Sequence, residues 1–268
     1  MMDVVFKILM SSENSTEILT DFLLAVLDLP PGEYDEIVIS NPFLLQEYKG
    51  DKLGILDVKL KLKSGKIIHV EVQIDPVPFI ESRLVFYMSK LVTEQINEGD
   101  QYDKIKRVIS IIITDHTLIA NSPKYHHQFG LYDIDSKIRL TDAVELHTLE
   151  IPKARKILDD NQNEPLFNWM KFFDAKTEED LNMLAEKSPV MKKATMRLME
   201  LSADEQTRQL YEARLKEQRD NYARERGAVK ARDTEIVQNA LLMNMSVEDI
   251  VKLTGLTYAE IESLRNTD

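Results

Sequence analysis

Residues Ile55 to Ile74 read ILDVKLKLKSGKIIHVEVQI. Two alternations run through this stretch. Leu56, Val58, Leu60 and Leu62 are apolar, with Asp57, Lys59 and Lys61 between them; then Ile68, Val70, Val72 and Ile74 are apolar, with His69, Glu71 and Gln73 between. Strand side chains point to opposite faces with a period of two, so each run predicts a strand with one apolar face. Ser64-Gly65 between them makes the pair a hairpin.

The loop length decides which residues meet. A two-residue turn at Ser64-Gly65 pairs Asp57 with Val72 and sets the two polar faces on opposite sides. A three-residue loop, Lys63-Ser64-Gly65 with the glycine in the left-handed region, pairs Leu62 with Lys66 and Asp57 with Glu71, and it satisfies both alternations. The second register is the predicted one. Two opposed carboxylates repel unless a cation lies between them. Oxygen ligands from Asp57 and Glu71, with the Val72 carbonyl nearby and water filling the shell, suit Mg²⁺, with Mn²⁺ as a substitute, better than zinc. Such an ion turns a bound water into a nucleophile toward phosphate. Gln73 leaves the same face and can reach that water or a phosphate oxygen, without bringing charge. The bland alternative for the same residues is a water-exposed sheet face on which Asp57, Lys59, Lys61, His69, Glu71 and Gln73 form cross-strand ion pairs.

Outward from the hairpin, Ile18, Leu19, Phe22, Leu23, Val26 and Leu27 have the three-and-four spacing of a helix over Thr16 to Leu29, ended by Pro30-Pro31. Ile37 to Leu45 reads as a strand interrupted near Asn41-Pro42. Pro78 opens a helix with Leu84, Tyr87, Met88 and Leu91 on its apolar side, stopping at Asn97-Glu98-Gly99. Val108 to Ile113 is a strand buried on both faces. Strand, hairpin, helix and buried strand together indicate an α/β sandwich.

After residue 151 the strand signals stop and helix formers dominate. Asp204 to Asp233 has few large apolar residues and many charges, which predicts a long, largely solvated helix or connector. Ser246-x-x-Asp249 and Thr257-x-x-Glu260, separated by Gly255, are two helix starts in the outline of a helix-turn-helix. The helix after Thr257 offers Glu260 and Glu262 with only Arg265 basic, which favours protein packing over DNA reading. The expected organisation is residues 1–150, a helical region 151–235 and a C-terminal unit 236–268.

Composition narrows the function. The 268 residues include no cysteine, which excludes disulfides, thiolate zinc sites and cysteine nucleophiles and predicts a cytoplasmic protein. The longest apolar run, Phe22 to Leu27, is far short of a membrane span. A net charge of −12 requires that any DNA contact be local. Lys49, Lys52, Lys59, Lys61, Lys63 and Lys66 ring the hairpin and could form that patch, or simply a solvated strand and turn. Lys59 and Lys61 are the candidates nearest the carboxylates. Arg83 and Tyr87, four apart, share one helix face and could present a cation and a hydroxyl to a scissile strand, or be a surface charge and a core ring. His116 and the adjacent His126-His127 lack a convergent third ligand for a second metal.

Asp3-x-x-Phe6-Lys7, Ile55-Leu56-Asp57-Val58, Glu71-Val72-Gln73, the helix with Arg83, Tyr87 and Leu91, Gly99-x-x-Tyr102 and a buried strand ending near Asp115 together resemble the recombination-promoting nuclease and transposase family of the PD-(D/E)XK superfamily. The resemblance covers about the first 150 residues. It implies a restriction-endonuclease-like mixed sheet flanked by helices, which is followed by the all-α C-terminal region, ending in a helix-turn-helix-like unit, that the residues themselves predict. It also implies a Mg²⁺-dependent DNA endonuclease whose catalytic core is Asp57, Glu71 and Gln73, with Asp3 in support. Gln73 stands where the superfamily's name has lysine. Cutting a duplex takes two sites, which favours a homodimer. The alternative is a nuclease-like scaffold that binds DNA or protein without cutting.

Overall fold

The computed structural model describes residues 9–10, 15–27, 30–34, 37–40, 57–157 and 164–265. Asp3, Phe6, Lys7, Lys49, Lys52, Ile55 and Leu56 lie outside them. Contacts divide the chain into two units, Met1–Thr207 and Arg208–Asp268.

The first unit is built on a six-stranded mixed sheet. Its strands are β1 (Ile37–Ser40), β2 (Val58–Leu62), β3 (Ile67–Gln73), β4 (Val108–Thr114), β5 (His126–Tyr132) and β6 (Arg139–Glu150), in the order β1-β2-β3-β4-β6-β5. β3, β4 and β6 run parallel; the other neighbours are antiparallel. In the hairpin, Val58 pairs with Val70 and Leu60 with Ile68. The Leu62 N–H donates to Lys66 O at 2.9 Å and the Gly65 N–H to Leu62 O at 2.8 Å. The loop is therefore Lys63-Ser64-Gly65, Gly65 holds φ +87°, and the register places Asp57 opposite Glu71, as predicted.

Two helical layers cover the sheet. On one face, Val58, Leu60, Leu62, Ile68, Val70, Val72, Ile109, Ile111 and Ile113 share a core with helix α1 (Thr16–Val26) and with α4 (Pro165–Asp174), α5 (Glu178–Ala185) and α6 (Pro189–Ala203). All six predicted core positions are buried, Ile18, Leu19, Phe22, Leu23 and Val26 in α1 and Leu27 at its C-cap. Phe22, Trp169 and Phe173 interlock there with ring centroids 5.5–5.8 Å apart, within the favourable range for aromatic pairs. The other face carries α2 (Ile80–Thr93), whose Leu84 and Leu91 pack on Ile112 and on Ile67 and Val108. A short α3 (Ile151–Ala154) follows β6 directly.

Two features depart from the sequence expectation. β3 is buried on both faces, because α2 covers the side that reads as polar. Residues 126–150, which carry no clean alternation, form strands β5 and β6. β5 is a largely exposed edge strand, and β6 places Glu145 and His147 at buried positions, so neither shows the usual apolar signature.

The second unit contains most of α7 (Glu205–Leu242), with α8 (Val247–Thr254) and α9 (Tyr258–Arg265). The described positions of α7 from 223 to 232 are exposed, matching the solvated helix expected there. Val237, Ala240, Ile250, Ile261 and Leu264 form a small core. Both N-caps are formed: Ser246 Oγ accepts from the Asp249 N–H and Thr257 Oγ1 from the Glu260 N–H, the second closing a full capping box as the Thr257 N–H donates to Glu260 Oε2, and Gly255 ends α8 at φ +72°. Among the described residues no helix is long and apolar enough to cross a membrane.

Candidate active site

The site lies where the C-terminal end of β3 meets the first turns of α2. His69, Glu71 and Gln73 leave one face of β3 at two-residue intervals, so they rise in a row beneath α2. Helix α2 covers that row because Leu84 and Leu91 must bury their side chains, and this places Arg83 and Tyr87 over the polar residues.

Each group is held from more than one direction. Asp57 Oδ2 accepts the Val72 N–H at 2.9 Å, which fixes the aspartate across the hairpin. Glu71, only 7% exposed, has both oxygens engaged: Arg83 Nη2 reaches Oε1 at 3.0 Å and His69 Nε2 reaches Oε2 at 3.3 Å. The same Arg83 Nη2 donates to Gln73 Oε1 at 2.7 Å, while Gln73 Nε2 donates to Asp75 O at 2.8 Å. The Tyr87 ring meets the His69 ring edge-on at 5.9 Å, and the Arg83 guanidinium lies 5.9 Å from its centroid. Burial holds the Tyr87 hydroxyl above its ordinary pKa, and the carboxylates of Glu71 and Asp57 push it the same way against Arg83.

The polar face is only partly solvated: His69 has no exposed surface and Glu71 is 7% exposed, while Asp57, Lys59 and Gln73 are half-buried. Lys59 pairs with Glu94, which caps the C-terminus of α2, Lys66 Nζ with Glu33 at 2.6 Å, and Lys61 is exposed. Asp3 falls outside the described residues.

Two contributors were missed in the sequence. His69 was read as a member of a polar strand face; the signal available was the apolar side of α2, which needed a surface to cover. Arg155 was not singled out. It forks onto Asp174 at 2.6 and 2.8 Å and reaches Asp115 at 2.8 Å, and these carboxylates hold its guanidinium firmly protonated. Asp115 in turn donates its N–H to Gln73 O, so this clamp ties α4 to the strand end that carries the site.

Of the histidines considered for a second metal, two have partners, while the ring nitrogens of His127 make no hydrogen bond among the described residues and its Nδ1 lies 3.6 Å from Glu150 Oε1. His116 Nδ1 contacts Ile74 O, and His126 pairs with His147 at 2.8 Å. Among the described residues no group of three or more His, Asp or Glu side chains is arranged to hold a metal. Two opposed carboxylates do fit a hard cation that keeps much of its water, which is the habit of Mg²⁺ and not of a structural zinc.

A family model for PD-(D/E)XK nuclease family transposases matches residues 1–228. The chain belongs to this family. A six-stranded mixed sheet flanked by helices is consistent with the PD-(D/E)XK fold. No curated protein and no solved structure matches the chain. In this PD-(D/E)XK chain, Asp57 and the Glu71-Val72-Gln73 tripeptide stand at the centre of the arrangement described above.

Proposed function

We propose that the protein is a metal-dependent endonuclease that hydrolyses phosphodiester bonds in DNA, with Asp57 and Glu71 holding Mg²⁺ or Mn²⁺. The observation that carries this reading is the hairpin register, which sets two carboxylates opposite each other beside a cationic side chain under α2. Family membership supports a nuclease-like activity on DNA.

When bound, the metal supplies charge neutralisation at phosphate and a more acidic water. The protein's own groups do the rest. The Val72 N–H orients Asp57 and His69 orients Glu71, so the ligand oxygens need little rearrangement. Gln73 is fixed at both ends of its amide and marks where a water or phosphate oxygen can be received. Arg83 and Tyr87 present a cation and a hydroxyl on the side from which a strand would approach. Lys61, and Lys59 beside its Glu94 partner, are the proposed backbone contacts, and their local charge offsets the overall −12. Cutting both strands of a duplex needs two such sites, so a homodimer is the proposed working form, and the cytoplasm is the proposed compartment.

The test is incubation of supercoiled plasmid with the purified protein in Mg²⁺, Mn²⁺ or EDTA. Nicking that requires a divalent ion is expected. DNA retained in a gel-shift assay without any cleavage in either metal points instead to a nuclease-like scaffold.

A further inference from the structure

We propose that Arg83 supplies, from α2, the positive charge that the Glu71-Val72-Gln73 tripeptide lacks, and that it directs this charge at the phosphate being cut. The assignment rests on the nuclease reading above.

Phosphoryl transfer gathers negative charge on the non-bridging oxygens, and a fixed cation beside them lowers the barrier. A neutral amide at Gln73 cannot provide it. Arg83 Nη2 sits 2.7 Å from Gln73 Oε1 and 3.0 Å from Glu71 Oε1, so it sets a cation directly beside both polar side chains of the tripeptide. The Gln73 amide is turned to suit this arrangement, its oxygen toward Arg83 and its nitrogen toward Asp75 O.

Arg83 also keeps donors in reserve. A guanidinium offers five N–H groups in a rigid fork. The Nε–H is buried and has no partner among the described residues. An unpaired buried donor is costly, so its persistence in a crowded polar site suits an anion that arrives with the substrate. The backbone holds the side chain in register, since the Arg83 N–H donates to Phe79 O at 3.0 Å in the first turn of α2. An ion pair serving only to pin α2 to the sheet would need neither the contact to Gln73 nor the spare donor.

The test compares wild type, Arg83→Met, Gln73→Lys and the double variant Arg83→Met/Gln73→Lys by two readouts: Mn²⁺ affinity by electron paramagnetic resonance, and plasmid nicking at saturating metal. Arg83→Met is expected to bind Mn²⁺ several-fold more tightly, because a cation beside a ligand is gone, yet to nick about 10²-fold more slowly. The added lysine should return nicking to within about tenfold of wild type, on the same scale of effect. Opposite signs in binding and cleavage cannot come from unfolding. If Arg83→Met fails to fold, Arg83→Gln, which keeps hydrogen bonding without charge, is expected to show the same slow nicking. Wild-type nicking rates in the neutral variants, or a double variant as slow as Arg83→Met, overturn the assignment. A wild type that neither binds Mn²⁺ nor nicks overturns the nuclease reading beneath it.

Discussion

His69 Nε2 lies 3.3 Å from Glu71 Oε2, with the imidazole wholly buried between the sheet and Tyr87. Glutamate has one more rotatable bond than aspartate, and a ligand that must be frozen on binding loses entropy. A buried imidazole beside one oxygen removes that cost in advance. Replacing the supporting partner of a metal ligand lowers affinity or activity by roughly 10–100-fold. His69→Ala is therefore expected to weaken Mn²⁺ binding by at least about tenfold, with His69→Gln recovering part of the loss through its amide. Unchanged Mn²⁺ affinity in a folded His69→Ala protein removes the positioning role.

Phe79 immediately precedes α2 at φ +58° and is 80% exposed. A bulky side chain in the left-handed region is strained, and this one gains no core contact in return. Phe79→Gly should raise stability by about 1 kcal/mol, read as a higher midpoint in chemical denaturation. A lowered midpoint shows that the aromatic ring contributes packing that its exposure conceals.

Acid should destabilise the protein through His126. Burial, with His147 and His127 nearby, depresses its pKa from 6.5 to about 4. A histidine depressed in the folded state is protonated first in the unfolded chain. Its contribution is complete above the unfolded value and is lost as pH falls from 6.5 toward about 4. The drop in melting temperature between pH 7 and pH 5 is expected to be smaller in His126→Gln than in wild type; an equal drop assigns the effect elsewhere.

Glu145 gives a second acid-sensitive element at lower pH. Burial raises its pKa, but hydrogen bonds from His147 and Arg107 outweigh that and bring it down to about 2. Its stabilisation is present above the ordinary carboxylate range and is lost as pH falls from 4.5 toward about 2. At neutral pH, Glu145→Gln leaves Arg107 and Arg139 without their shared carboxylate and should cost about 3 kcal/mol. A loss below about 1 kcal/mol, measured by urea denaturation, places the cluster among ordinary surface pairs.

The hairpin was legible to the register because two alternations and one glycine leave a single loop length that satisfies both. The buried strand β4 was legible from its unbroken apolar run, and the long α7 from its lack of strand formers and glycine clusters. β5 and β6 were not legible, since an edge strand can be polar and β6 buries Glu145 and His147 through partners distant in sequence, Arg107 and His126. For the same reason the sequence pointed to Asp57, Glu71, Gln73, Arg83 and Tyr87 but not to His69. An alternation pattern distinguishes two faces of a strand; it does not say which face a later helix will close.

The most direct test of the metal-dependent nuclease assignment is plasmid nicking by wild type and by Asp57→Ala/Glu71→Ala, purified in parallel and assayed with Mg²⁺ and with EDTA. The account predicts Mg²⁺-dependent nicking by the wild type and none by the double variant. Equal nicking by both proteins would contradict it, because the cutting would then owe nothing to the carboxylates that face each other across the hairpin.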